Sequence, residues 1–122
     1  MFSVKRFFKS FRDAVRGVSY TFLHEQNFRV QIFVGIIAIA LAFFLPLRRA
    51  EQILILLMTL MVLSTELLNT AVEKFCDLLI PRLHQQISVI KDVMAGAVLL
   101  VSIGAGVIGA MIFWPYLVNL FF

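Results

Sequence analysis

Apolar positions along this chain follow two rhythms. From residue 3 to 24, Val4, Phe8, Phe11, Val15, Val18 and Phe22 recur at alternating spacings of four and three, with Phe7 alongside. Lys5, Lys9, Arg12, Asp13 and Arg16 take the other side, so the segment is predicted to be an amphipathic helix in the membrane interface, cations toward anionic headgroups. Beyond it the periodicity gives way to apolar runs at about 30–47, 52–77 and 93–121, each long enough to cross a hydrocarbon core. Pro46, Leu47, Arg48, Arg49 and Ala50 make a tight turn after the first run. Pro81 breaks the chain after the second, and 78–92 reads as a more polar linker with Arg82, His84, Gln85, Gln86 and Lys91. The pattern predicts a single all-α integral membrane domain over residues 1–122: three transmembrane helices plus an amino-terminal amphipathic surface helix. Trp114 and Tyr116 are expected as interfacial anchors of the third span.

Composition agrees. Hydrophobic residues make up 61% and charged residues 15% of the 122, where a soluble domain is closer to half and a quarter. The lone cysteine, Cys76, excludes an internal disulfide and a cysteine-built zinc site, and is expected as a small side chain near a helix end. The basic, aromatic amino terminus is not expected to be a signal peptide, because no apolar core precedes a small-residue cleavage site. Its composition could suit nucleic acid, but a membrane protein makes that reading remote.

Charge placement gives an orientation. The arm with Arg29 carries six of the eleven lysines and arginines, and Lys74, Arg82 and Lys91 flank the linker; only Arg48 and Arg49 lie at the other end of the spans. The positive-inside rule then puts the arm, the linker and the carboxyl-terminal end of the second span in the cytoplasm, with ATP and magnesium.

Within that second span, Glu66, Asn69, Glu73 and Asp77 break the apolar run. At 100° per residue they fall at about 0°, 300°, 340° and 20°, one narrow arc with Thr70 beside it. Acidic groups at membrane depth are costly and face a bundle interior or a watery site. One reading is a polar seam that glues helices or conducts protons, as in a small oligomeric channel or transporter. The other is phosphoryl transfer. Mg²⁺ takes one or two carboxylates plus phosphate oxygens and water, which Glu25 and Glu73 can supply. A base must lie near the acceptor hydroxyl, and Glu66, one to two turns deeper, suits a hydroxyl presented from the membrane. Asn69 can orient a carboxylate, and Lys91, Arg6 and Lys9 are candidate phosphate contacts. Glu25 and Arg29, four apart, also fit a plain surface ion pair, and His84 fits a solvated loop residue.

Gly104-Ala105-Gly106-Val107-Ile108-Gly109 matches the spacing of a dinucleotide-binding turn but lies inside an uncharged apolar run, without the strand or the later acidic residue. Ala105 and Gly109 are expected instead to bring helices close.

Glu66-Leu67-Leu68-Asn69-Thr70-Ala71-Val72-Glu73, then Asp77, His84 and Lys91-Asp92-Val93-Met94-Ala95-Gly96-Ala97-Val98, resemble the prokaryotic diacylglycerol kinase / undecaprenol kinase family, and Glu25-x-x-Phe28-Arg29 looks like its metal-binding segment. The likeness covers nearly the whole chain and departs from the family at Val89-Ile90, before Lys-Asp. It implies a homotrimer in the bacterial inner membrane with sites between protomers, taking ATP as donor and Mg²⁺ as cofactor. It also implies Glu66 as general base beside Asn69, Glu25 and Glu73 as Mg²⁺ ligands, and Glu66 with Ala95 toward the lipid. Arg6, Lys9, Glu25, Glu73, Asp77, His84, Lys91 and Asp92 would face the nucleotide. Thr65-Glu66-x-x-Asn69-Thr70-Ala71, Ala95-Gly96-Ala97-Val98 and Glu25-x-Asn27-x-Arg29 look more like the undecaprenol branch, with diacylglycerol as the alternative acceptor.

Overall fold

A computed structural model describes residues 1–80, 82 and 84–122; Pro81, expected as a chain break, lies outside the described residues. Among the described residues four helices follow one another: α1 Val4–His24, α2 Gln26–Phe44, α3 Arg49–Asp77 and α4 His84–Phe121. The last three are long and apolar enough to cross a membrane, and the amphipathic α1 stands ahead of them.

Local chemistry sets the helix ends. Ser3 caps α1, its hydroxyl accepting from the Arg6 amide. α2 stops at Phe44 because Leu45 precedes Pro46 and is held extended. α3 begins at Arg49, three residues before the expected start, because Glu51 reaches back to the Arg48 amide at 3.1 Å and closes the first turn. The linker expected over 78–92 is much shorter. α4 already runs from His84, since Gln85, Gln86 and Lys91 are good helix formers and no glycine or proline interrupts the segment. Polarity marks where the helix leaves the apolar layer, not where it ends.

α3 is the central element, packed on α2 to one side and α4 to the other. A cluster of Ala42, Leu45, Leu47, Ile55 and Ile112 closes the bundle around the α2–α3 turn. Beside it Tyr116 donates a hydrogen bond to the Glu51 carboxylate, so Tyr116 serves a helix-to-helix contact, while Trp114 stays exposed. Pro115 sits within α4 and removes one backbone donor there. The apolar stripe of α1 (Val4, Phe7, Phe8, Phe11, Val15, Val18 and Phe22) is exposed, as is its basic face, so nothing in the bundle covers the stripe among the described residues. Near its end Tyr20 stacks on His24 and lies under the Lys74 ammonium, 5.5 Å from the ring centre, tying α1 to α3.

The close helix approach is not where the small residues of α4 suggested. A Cβ added at Gly104, Gly106 or Gly109 would meet nothing within 4 Å, and Gly106 and Gly109 line a partly open cavity of about 290 Å³ between α2, α3 and α4. The tight contact is at Gly35 of α2, where an added Cβ would lie 2.6 Å from the Thr59 methyl of α3. That methyl is pinned, since the Thr59 hydroxyl donates to the Ile55 carbonyl at 2.9 Å. Gly35→Ala is therefore expected to cost about 1–3 kcal/mol of stability. Thr59→Ser, which removes the methyl, should recover most of that loss in a double-mutant cycle read by thermal or denaturant unfolding.

Candidate active site

The site begins at an elbow. Glu25 is the single extended residue between α1 and α2 (φ −115°, ψ 112°). Its amide donates to the Thr21 carbonyl at 2.8 Å, and its carbonyl accepts from the Arg29 amide at 3.3 Å. Arg29 does not pair with the Glu25 carboxylate, as its spacing had allowed. Its guanidinium donates instead to the Phe22 and Leu23 carbonyls at 2.6 and 3.1 Å, satisfying the open end of α1. Glu25 makes no ion pair among the described residues and lies within electrostatic reach of Glu66 and Lys74.

On α3, Glu66 is only 4% exposed and Thr70 is buried one turn on, its hydroxyl donating to the Glu66 carbonyl at 3.1 Å. Glu66 and Asn69 line a cleft of about 350 Å³ with Ala95 of α4. Asn27 and Gln31 of α2 and Ser102 of α4 share it. Sequence reading assigned no role to Gln31 or Ser102. A signal was present: Asn27 and Gln31 are four apart, which puts two rare polar groups on one face of α2, and Ser102 is seven beyond Ala95, a helical repeat that sets it on the Ala95 face of α4.

The rest of the acidic arc does not gather there. Glu66 and Asp77 are eleven positions apart, about 16 Å along the helix axis, so one face is not one cluster. Glu73 is half-buried between them. Asp77 ends α3, exposed, and accepts a hydrogen bond from the Lys91 ammonium at 3.0 Å. Lys91 is also within electrostatic reach of Glu73. The pair joins α3 to α4 but is open to solvent, and such pairs are worth about 0–1 kcal/mol. Asp92 and His84 are exposed and outside the cleft, with His84 the first residue of α4, not a loop position. Arg6 and Lys9 line a basic concavity formed by α1 alone, with Lys5 and Arg12. Cys76 is buried near the end of α3. No group of three or more acidic, histidine or cysteine side chains suited to a metal is found among the described residues.

A buried carboxylate and an amide lining one cleft of an apolar helix bundle suit a pore or a transfer enzyme equally, and relatives separate the two. The family model described as prokaryotic diacylglycerol kinase matches residues 12–113. The chain belongs to the prokaryotic diacylglycerol kinase family. It is similar to a diacylglycerol kinase of Synechocystis, 39% identical over 91% of this chain and 64% of that longer protein. An undecaprenol kinase of Bacillus subtilis is 36% identical over 93% of both chains. A diacylglycerol kinase of Haemophilus influenzae is 31% identical over 86% of this chain and 90% of its own. The chain is thus an integral membrane lipid kinase with ATP as its phosphoryl donor, and the same polar residues need no pore to explain them.

Proposed function

We propose that the chain transfers the γ-phosphoryl group of ATP to the hydroxyl of a membrane lipid alcohol, with Mg²⁺, at the cytoplasmic face of the bacterial inner membrane. The observation that carries this reading is Glu66, buried within the apolar helix α3 in a cleft it shares with Asn69 and Ala95. A carboxylate in that position accepts the proton of a hydroxyl delivered from the lipid side. The hydroxyl oxygen then bonds to the γ-phosphorus, the bond from that phosphorus to the β,γ-bridging oxygen breaks, and ADP leaves. Asn69, one turn away in the same cleft, holds the Glu66 carboxylate or the acceptor in line.

Glu25 and Glu73 are the proposed Mg²⁺ ligands. Two carboxylates suit a metal that completes its shell with nucleotide phosphates and water. Bound there, Mg²⁺ neutralises the charge that develops on the phosphates. Lys91 and Asp92, with Asp77, His84, Arg6 and Lys9, are the proposed nucleotide side. Asp77 and Lys91 then act as one paired unit, given their 3.0 Å contact. The basic arm and the Lys74, Arg82 and Lys91 group support the cytoplasmic orientation through the positive-inside rule. The wide exposed apolar faces of the spans leave room for the proposed homotrimer with sites between protomers.

Undecaprenol is the favoured acceptor on the Thr65–Ala71, Ala95–Val98 and Glu25–Arg29 wording, with diacylglycerol the alternative; both present an alcohol to the same base. The test is purified protein in lipid vesicles with ATP labelled in the γ-position and each lipid in turn. Mg²⁺-dependent label in undecaprenyl phosphate is the expected result. Label only in phosphatidic acid would move the reading to the alternative, and label in neither would overturn it.

A further inference from the structure

Ser102 is the one described side chain whose buried polar atom has no hydrogen-bond partner. Its neighbours in kind behave differently. Thr21, Thr59, Thr65 and Thr70 each donate to the carbonyl four residues back, at 2.7–3.1 Å. That is the ordinary way a hydroxyl in an apolar helix is satisfied. Ser102 does not do so, and it lines both the Glu66 cleft and the neighbouring cavity between α2, α3 and α4.

The register of α3 against α4 tells what it faces. The two antiparallel helices are tied at one end by Asp77 and Lys91 and at the other by Glu51 and Tyr116. Counting from the first tie, Glu66 is eleven residues back from Asp77 and Ser102 eleven on from Lys91. Counting from the second, Glu66 is fifteen on from Glu51 and Ser102 fourteen back from Tyr116. Both counts set Ser102 level with Glu66, on the facing wall of one cleft.

We propose that Ser102 is an acceptor-binding residue of the lipid-kinase site, its hydroxyl donating to the oxygen of the lipid alcohol while that alcohol donates to Glu66. An alcohol oxygen has two lone pairs. With one held by Ser102, the other is left for the γ-phosphorus, so the contact orients the nucleophile as well as binding it. The contact requires no second oxygen in the lipid and serves undecaprenol and diacylglycerol alike. The inference rests on the kinase reading above.

Two variants test it, Ser102→Ala and Ser102→Cys, each assayed with both lipids and scanned for thermal unfolding. Ser102→Ala is expected to lower kcat/KM for the lipid about fivefold to tenfold, the value of one neutral hydrogen bond. KM for ATP should be unchanged. Unfolding should stay equal or move to higher temperature, because the variant removes a buried donor that the free protein leaves unsatisfied. Ser102→Cys, a weaker donor of similar size, should fall between. Wild-type kcat/KM in Ser102→Ala would overturn the inference alone. Equal losses of lipid turnover, ATP affinity and unfolding temperature would overturn it in favour of a packing role. A wild-type protein that phosphorylates neither lipid would overturn both it and the kinase reading.

Discussion

Replacing Glu66 with glutamine is expected to lower lipid phosphorylation by about 100-fold to 10,000-fold, the range a positioned general base contributes. Glutamine keeps the volume and most of the hydrogen-bonding shape of glutamate, so the variant isolates the loss of a proton acceptor from a loss of packing. It also removes a formal charge from a nearly inaccessible position, where an unpaired carboxylate is expensive. Glu66→Gln should therefore unfold no earlier than the parent, while turnover with saturating lipid and ATP collapses. Single-turnover measurement of labelled lipid, with circular dichroism through the unfolding transition, checks both halves. A folded variant with wild-type turnover would remove Glu66 from the chemistry.

Glu25→Gln and Glu73→Gln should behave differently. Each removes one unit of negative charge from the proposed metal site. A pair of unit charges at contact distance is worth about 1–4 kcal/mol between water-like and protein-surface screening, so the Mg²⁺ needed for half-maximal rate should rise by at least about 5-fold and up to about 1,000-fold. Raising Mg²⁺ should restore much of the rate in both variants and none of it in Glu66→Gln. Titrating Mg²⁺ at fixed ATP separates the two classes. Rates that stay low at every Mg²⁺ concentration would take Glu25 and Glu73 out of the metal shell. For Glu25 an alternative loss through structure is small, since its local hydrogen bonds are made by its backbone and by Arg29, not by its carboxylate.

Much of this could be read from the chain. The stripe of α1 and the three apolar runs define helices wherever packing against lipid or protein rewards one side or all sides, and angular bookkeeping put Glu66 and Asn69 on one face, where they line one cleft. Angle ignores height, which is why Asp77 shared an arc with Glu66 yet ends at the solvent beside Lys91. Over 84–92 the polar sequence does not end the helix, because hydropathy reports the surrounding medium and not backbone hydrogen bonding. Gly35 drew no notice in an apolar run, since its importance lies in the methyl of Thr59 on another helix. Ser102 is legible only in part: its seven-residue spacing from Ala95 places it on the cleft face, while the missing partner of its hydroxyl shows only in the folded chain. A serine in an apolar helix is unremarkable until the partners of its hydroxyl are known.

α2 is the shortest of the three spans at 19 residues, about 28 Å of helix and close to the thickness of a hydrocarbon core. It has no slack at either end. Pro46 stops it on one side and the capped Glu25 elbow on the other, so the chain carries a built-in ruler. The Glu25 elbow is held one length of α2 from the Pro46 turn, and in the proposed orientation that would set its carboxylate where a lipid headgroup and a water-borne phosphate can meet.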